Sequence, residues 1–188
     1  MSQYVLHQAA VSSVTYLFPL WMGDLLGWSA GEVGMVFAVQ GALMVIFQGG
    51  LLGPMVRLLG ERRLLCVAIA ALLLGLLNAA FADSVQSMVG SVFLAMTGAT
   101  LCIPLLNTIV SFSTPLKIRG RMMGITSAAS SWGRVAGPLL AGTNLAVLGY
   151  RGAWLGSAAI VSMYLLWACV QYAKENPGGP GGGVHTEA

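Results

Sequence analysis

Apolar residues along this chain come in long runs separated by short polar or charged stretches, and these runs define its elements. The pattern predicts helices over residues 4–25, 30–53, 64–82, 85–111, a segment centred on 120–142, and 153–173. Each run is close to the ~20 apolar residues a helix needs to cross ~30 Å of hydrocarbon. The expected fold is therefore an all-α membrane protein, with six transmembrane helices in one bundle over residues 1–173. Residues 174–188, rich in Gly and Pro, hold too little apolar surface for a core and read as a disordered tail.

The runs differ in how their polar residues are placed. In the first, Tyr4, Gln8, Ser12 and Thr15 recur at steps of three or four beside Pro19, the pattern of a cavity-lining stripe. The second begins at Ser29 and Glu32, spaced as a capping box, and carries Gln40, Met44 and Gln48 on one face. The third is interrupted only by Asn78, so it is expected to sit in lipid as scaffold. The fourth follows a cap at Asp83 and Ser84 and gathers Thr97, Thr100, Pro104, Asn107 and Thr108 near one side. The sixth is again plain. Helices one and four, two and five, and three and six therefore match in polarity, a weak three-plus-three repeat of the kind found in secondary transporters.

The fifth run, Gly120 to Gly142, has a structure of its own. Gly133, Gly137 and Ala141 repeat every fourth residue with Ala129 upstream, leaving a face with little bulk that another helix can approach closely. A second stripe holds Ser127, Ser130, Ser131 and Arg134, groups that belong against protein or water rather than lipid. Pro138 lacks a backbone donor, so a bend or loosening is expected just after the arginine.

Composition excludes a soluble domain: 57% of the residues are hydrophobic and 8% charged, against roughly a quarter charged in an ordinary globular chain. The net charge of +3 comes from clusters in the connections and reads as a topology signal, not a nucleic-acid footprint. Arg57, Arg62, Arg63, Lys117, Arg119 and Arg121 follow helices two and four, whereas Asp24, Glu32, Asp83 and Arg151 lie in the opposite connections. The positive-inside rule then puts both termini in the cytoplasm. The first run lacks a basic flank and a cleavage site, so it is expected to remain as a membrane helix. Cys66, Cys102 and Cys169 fall in apolar runs and imply no disulfide framework. His7 and His185 are the only histidines; with no nucleophile–base pair or metal set, the chain reads as no enzyme and as needing no cofactor.

Several of these features together resemble the major facilitator superfamily over residues 4–172: six helices, MVRLLGERRLL after the second, RGRMMG before the fifth and GRVAGP within it. Gly124, Gly133, Gly137, Pro138, Ala141 and Gly142 follow the spacing of that superfamily's antiporter motif, with Ala141 in place of a glycine. The cytoplasmic loop motif, here with Arg57, Gly60, Arg62 and Arg63, departs from the usual form, which has an acidic residue where Arg57 stands. That departure resembles the carboxy-terminal half of a twelve-helix transporter. The resemblance implies half of a drug or tetracycline-type exporter, proton-coupled and working by alternating access in a plasma membrane. Its partners would be the bilayer, a small organic or amphipathic substrate and a second six-helix bundle, from another chain or a second copy. The competing reading is a membrane assembly partner or inactive fragment that transports nothing.

The candidate substrate and coupling residues are Arg134, His7, Gln8, Gln40, Gln48, Asn107 and Ser130. A mid-membrane arginine is costly and favours a functional role for Arg134 over a merely structural one. His7 lies close to the chain start, and packing with its polar edge snorkelling outward is the plainer alternative to a titrating role. The glutamines and Asn107 fit substrate contact and helix-to-helix bonding equally well. The glycine row reads as packing and hinge.

Overall fold

A computed structural model describes residues 2–175, and these are helical almost throughout. In order they form α1 (Ser2–Leu26), α2 (Ala30–Ile46), a π-helical turn (Phe47–Leu51), α3 (Leu52–Leu59), α4 (Glu61–Ala80), α5 (Val85–Ser113) and α6 (Leu116–Glu175). The Gly/Pro-rich tail from Asn176 lies outside the described residues.

Local chemistry sets most of the boundaries. The capping box forms as the sequence predicts: the Glu32 amide donates to Ser29 Oγ at 3.4 Å, and the Ser29 amide donates to the Glu32 carboxylate at 2.7 Å. Ser84 caps α5 by accepting from the Ser87 amide at 3.2 Å.

The second run is longer than its sequence implies. Gly49 and Gly50 widen the helix into a π turn without ending it, and α3 continues to Leu59. Pro54 follows directly on the π turn, where the Leu52 amide already reaches back five residues to the Phe47 carbonyl, so its missing N–H falls where the helical ladder is already widened. The basic loop expected after helix two therefore reduces to Gly60, whose φ of 77° is open to glycine. Arg57 sits in the last turn of α3, and Arg62 and Arg63 in the first turn of α4, which starts at Glu61 instead of Leu64.

The second departure is at Gly149, where φ is 67° and ψ −171° inside α6. A Cβ at Gly152 would meet Leu148, and one at Gly156 would meet Asn144. In a straight helix, residues 144 and 156 would stand ~18 Å apart, so the chain doubles back at this single glycine. The arms 116–148 and 150–175 thus supply two crossings, and the five long apolar helices give six. Helical backbone runs on through Gly152, where a looser loop was expected.

The core centres on α4. Its buried stripe includes Leu64, Ala68, Leu72, Leu76 and Ala79, packed between α5 and α6. Gly75 and Gly98 permit the α4/α5 crossing, since a Cβ on Gly75 would lie 2.5 Å from the Ala95 amide nitrogen and one on Gly98 2.5 Å from the Ala68 carbonyl oxygen. The plainest helix is therefore core rather than lipid-surrounded scaffold. By contrast α2 is nearly bare, with Val33 and Gln40 its buried residues. Apolar content is the same for a lipid-facing helix and a core helix, so only topology separates them.

Contacts fix the direction of each crossing. Along α1, Val5 lies near Gly133, Ala9 near Gly137, and Asp24 bonds Tyr150, so α1 runs parallel to the first arm of α6. Gln3, Arg62, Thr114 and Tyr172 meet at one end of the bundle. At the opposite end, Arg151 Nε donates to the Ala80 carbonyl at 3.1 Å and stacks on Phe81, while Trp21 meets Trp154 edge-on at 5.1 Å. Both ends of the described chain thus lie at the end rich in arginine.

Candidate functional site

The geometry of the site follows from how closely α6 holds α1. A Cβ on Gly133 would lie 2.5 Å from the Val5 carbonyl oxygen, and one on Gly137 would collide with the Ala9 carbonyl. Ser13 Oγ shares its proton between the Ala9 and Gly137 carbonyls, at 2.8 and 3.0 Å. Ala141 is buried, and Gly142 faces the Tyr16 ring. The glycine row thus packs against α1 as its spacing predicts. Gly124 takes no part, having no neighbour within 4 Å of where a Cβ would be.

With its backbone pinned on one side, α1 presents polar side chains to a recess on each flank. On the first flank, Gln8, Ser12, Thr15 and Tyr16 face Arg134 and Pro138. On the second, His7 and Gln8 face Gln48, Thr100, Pro104 and Asn107 around about 530 Å³. Gln8 and Val11 border both recesses, so the two adjoin as one groove of mixed polar and apolar lining around α1.

Each predicted residue has a definite place. Arg134 is exposed near the middle of its arm and donates to Ser131 Oγ at 3.2 Å. Pro138 carries no N–H, so the Arg134 carbonyl lacks its usual donor four residues on. The backbone nevertheless stays helical through Pro138, and within α6 the break lies at Gly149. Ser130 Oγ donates to its own helix at the Thr126 carbonyl, 3.0 Å away, and borders neither recess.

Across the groove, Tyr4 donates to Asn107 Oδ1 at 2.9 Å, joining α1 to α5. Gln48 Nε2 donates at 3.2 Å to the Thr100 carbonyl, which Pro104 deprives of a helical donor. Gln40 is buried outside the recess lining; its amide nitrogen donates to Thr97 Oγ1 at 3.5 Å while Oε1 has no partner. Gln40 of α2 and Gln48 of the π turn that follows therefore both reach α5.

His7 corrects the snorkelling expectation. Only 1% exposed, it turns inward against Tyr164, with ring centroids 5.9 Å apart at 63°. Its Nδ1 has no hydrogen-bond partner among the described residues. Sequence reasoning missed Tyr164 because one tyrosine in a plain helix carries no periodic signal. It also missed the Thr100 carbonyl, although Pro104 four residues on marks that atom as short of a donor.

The arrangement suits binding more than bond-making chemistry. Hydroxyls, amides, one imidazole and one guanidinium line it among apolar residues such as Val11, Met44 and Ile103, and among the described residues no carboxylate borders either recess. Among the described residues, no three His, Cys, Asp or Glu side chains converge to hold a metal.

Comparison with known proteins agrees with this architecture. A family profile described as Major Facilitator Superfamily matches residues 1–185. The chain is 30% identical over 154 residues to the class G tetracycline resistance protein of Vibrio anguillarum, covering 82% of this chain and 38% of that protein. It is 27% identical over 147 residues to the class C tetracycline resistance protein of Escherichia coli, covering 78% and 36%. The multidrug resistance protein MdtG of Dickeya zeae is 23% identical over 172 residues, covering 90% and 42%. The chain therefore spans well under half the length of these curated relatives.

Proposed function

The chain belongs to the Major Facilitator Superfamily, an integral multi-pass membrane transporter family, and on that footing we propose that it acts as one half of a secondary exporter. The cargo is a small organic or amphipathic molecule, carried out by alternating access and coupled to protons. A second six-helix bundle, from another chain or a second copy, completes the path. The observation that carries this reading is the groove around α1: amides, hydroxyls, an imidazole and a guanidinium set among apolar side chains, with no carboxylate from the described residues. Bilayer hydrocarbon does not reward such a surface, whereas a facing bundle and a hydrated cargo do.

Within the groove, Arg134 and Gln8 hold the polar part of the cargo, Gln48 and Asn107 border it, and His7 is the titrating candidate. The drug-resistance names of the relatives support export, and so does the antiporter spacing from Gly124 to Gly142. The arginine-rich end and both termini face the cytoplasm of the cell membrane by the positive-inside rule. A coupling carboxylate is then the second bundle's contribution.

An accumulation assay with a fluorescent efflux substrate tests the proposal. Cells making the chain with its second bundle retain less dye, and Arg134→Ala abolishes that difference while membrane insertion is unchanged. If Arg134→Ala and the native chain give the same accumulation as cells without either, the chain is a non-transporting assembly partner or fragment.

A further inference from the structure

The arginine-rich end of the bundle holds a second cavity, separate from the groove around α1. It measures about 390 Å³, within the roughly 300–1,000 Å³ of small-ligand pockets, and lies where α1, α4, α5 and both arms of α6 meet. Its inner wall is apolar, with Leu65 and Ala168 buried beside the half-buried Val110 and Met122. Gln3, Arg62 and Tyr172, also half-buried, and the exposed Gln171 line it too.

The polar lining is biased toward donors. Tyr172 accepts from Arg63 Nε at 2.6 Å, which leaves its own hydroxyl proton to give. Arg62 brings a guanidinium and the two glutamines bring amides, while no carboxylate lines the cavity. Arg119 adds an independent sign: its Nε is buried with no acceptor among the described residues. Arg119, Met122 and Thr126 lie at steps of three and four on α6, so this donor stands one turn outward from the cavity wall. A buried guanidinium nitrogen calls for an anionic acceptor.

We propose that this cavity binds the phosphate of an anionic lipid headgroup from the leaflet at the arginine-rich end, with Arg62 and Arg119 as the two charged contacts. The cavity lies level with the helix ends, where headgroups are found, and its apolar wall accepts the glycerol and first methylenes. Basic pockets between membrane helices on one face are known to take such headgroups. A zwitterionic choline lipid fits less well, because its cation would sit beside two guanidiniums. The inference depends on membrane embedding and not on transport, so it stands or falls apart from the exporter reading.

Native mass spectrometry of the full chain in neutral detergent tests it, with dioleoylphosphatidylglycerol, dioleoylphosphatidylcholine and inorganic phosphate as separate probes. Retention of one phosphatidylglycerol, at least about fivefold above phosphatidylcholine, is expected. Arg62→Gln and Arg119→Gln each remove about that factor, whereas Arg121→Gln, exposed on the same helix, leaves it unchanged. The two-lipid ratio is read within each variant, so a loss of yield does not imitate a loss of site. If Arg62→Gln does not fold, Arg119→Gln decides. Equal retention of the two lipids overturns the proposal, as does an Arg121→Gln effect equal to that of Arg119→Gln. Displacement of the lipid by millimolar phosphate alone overturns the lipid source and assigns the site to a soluble anion.

Discussion

Gln48 Nε2 donates to the carbonyl of Thr100 at 3.2 Å, supplying from the π turn after α2 the hydrogen bond that Pro104 removes from α5. This one contact ties the π turn to α5 where its helical ladder lacks a donor. Gln48→Leu should lower stability by about 0.5–1.5 kcal/mol, the net worth of a hydrogen bond at an exposed carbonyl that has no helical donor. Adding Pro104→Ala restores an amide at position 104, so the same Gln48→Leu change should cost much less in that background. Thermal unfolding of the four proteins in detergent gives the coupling directly; additive losses would mean that the bond is incidental.

The glycine row makes a graded prediction. Gly133→Val or Gly137→Val drives a side chain into the α1 backbone and should cost at least about 1–3 kcal/mol, as overpacking does. Gly124→Ala meets open space and should stay within about 0.5 kcal/mol of the native chain. Unfolding midpoints of the three variants check this order, and a Gly124→Ala loss equal to Gly137→Val would contradict it.

Gly149 is a conformational requirement of a different kind. No neighbour lies within 4 Å of a Cβ there, but φ is 67° with ψ −171°, a combination open essentially to glycine alone. Gly149→Ala and Gly149→Asn should therefore each cost about 1–3 kcal/mol. No loss of stability for either variant, by the same unfolding measurement, would contradict a backbone requirement at the turn.

A fourth prediction concerns the thiols. Cys66 Sγ and Cys169 Sγ stand 3.9 Å apart between α4 and the second arm of α6, while Cys102 is fully buried. Copper phenanthroline should join the first pair, removing two hydrogens, and leave Cys102 reduced. Peptide mapping under non-reducing conditions reads the linkage, and a Cys102 disulfide would mean the helices are packed differently.

How far the sequence could be read depended on the range of each signal. The capping box at Ser29 and Glu32, the bare face of the glycine row and the shared face of Gln40 and Gln48 were legible, because spacing within one helix determines them, whereas nothing in that spacing said that α1 is what the glycine row meets. The central place of α4 was not, because Leu and Ala serve lipid and core equally well and only the neighbouring helices decide. His7 sits against Tyr164, 157 positions later in the chain, and no local pattern announces that meeting. The doubling back at Gly149 was visible as a break, but its tightness was not. The basic cavity drew on residues that had been read for their charge alone.

The central claim, that this chain is one of two bundles in a transporter, is tested most directly by the protein mass of the detergent-solubilised particle, corrected for bound detergent. The account predicts a stable particle that contains either two copies of the 19.6 kDa chain or one copy with a second six-helix protein. A stable, folded particle holding a single 19.6 kDa chain would contradict it.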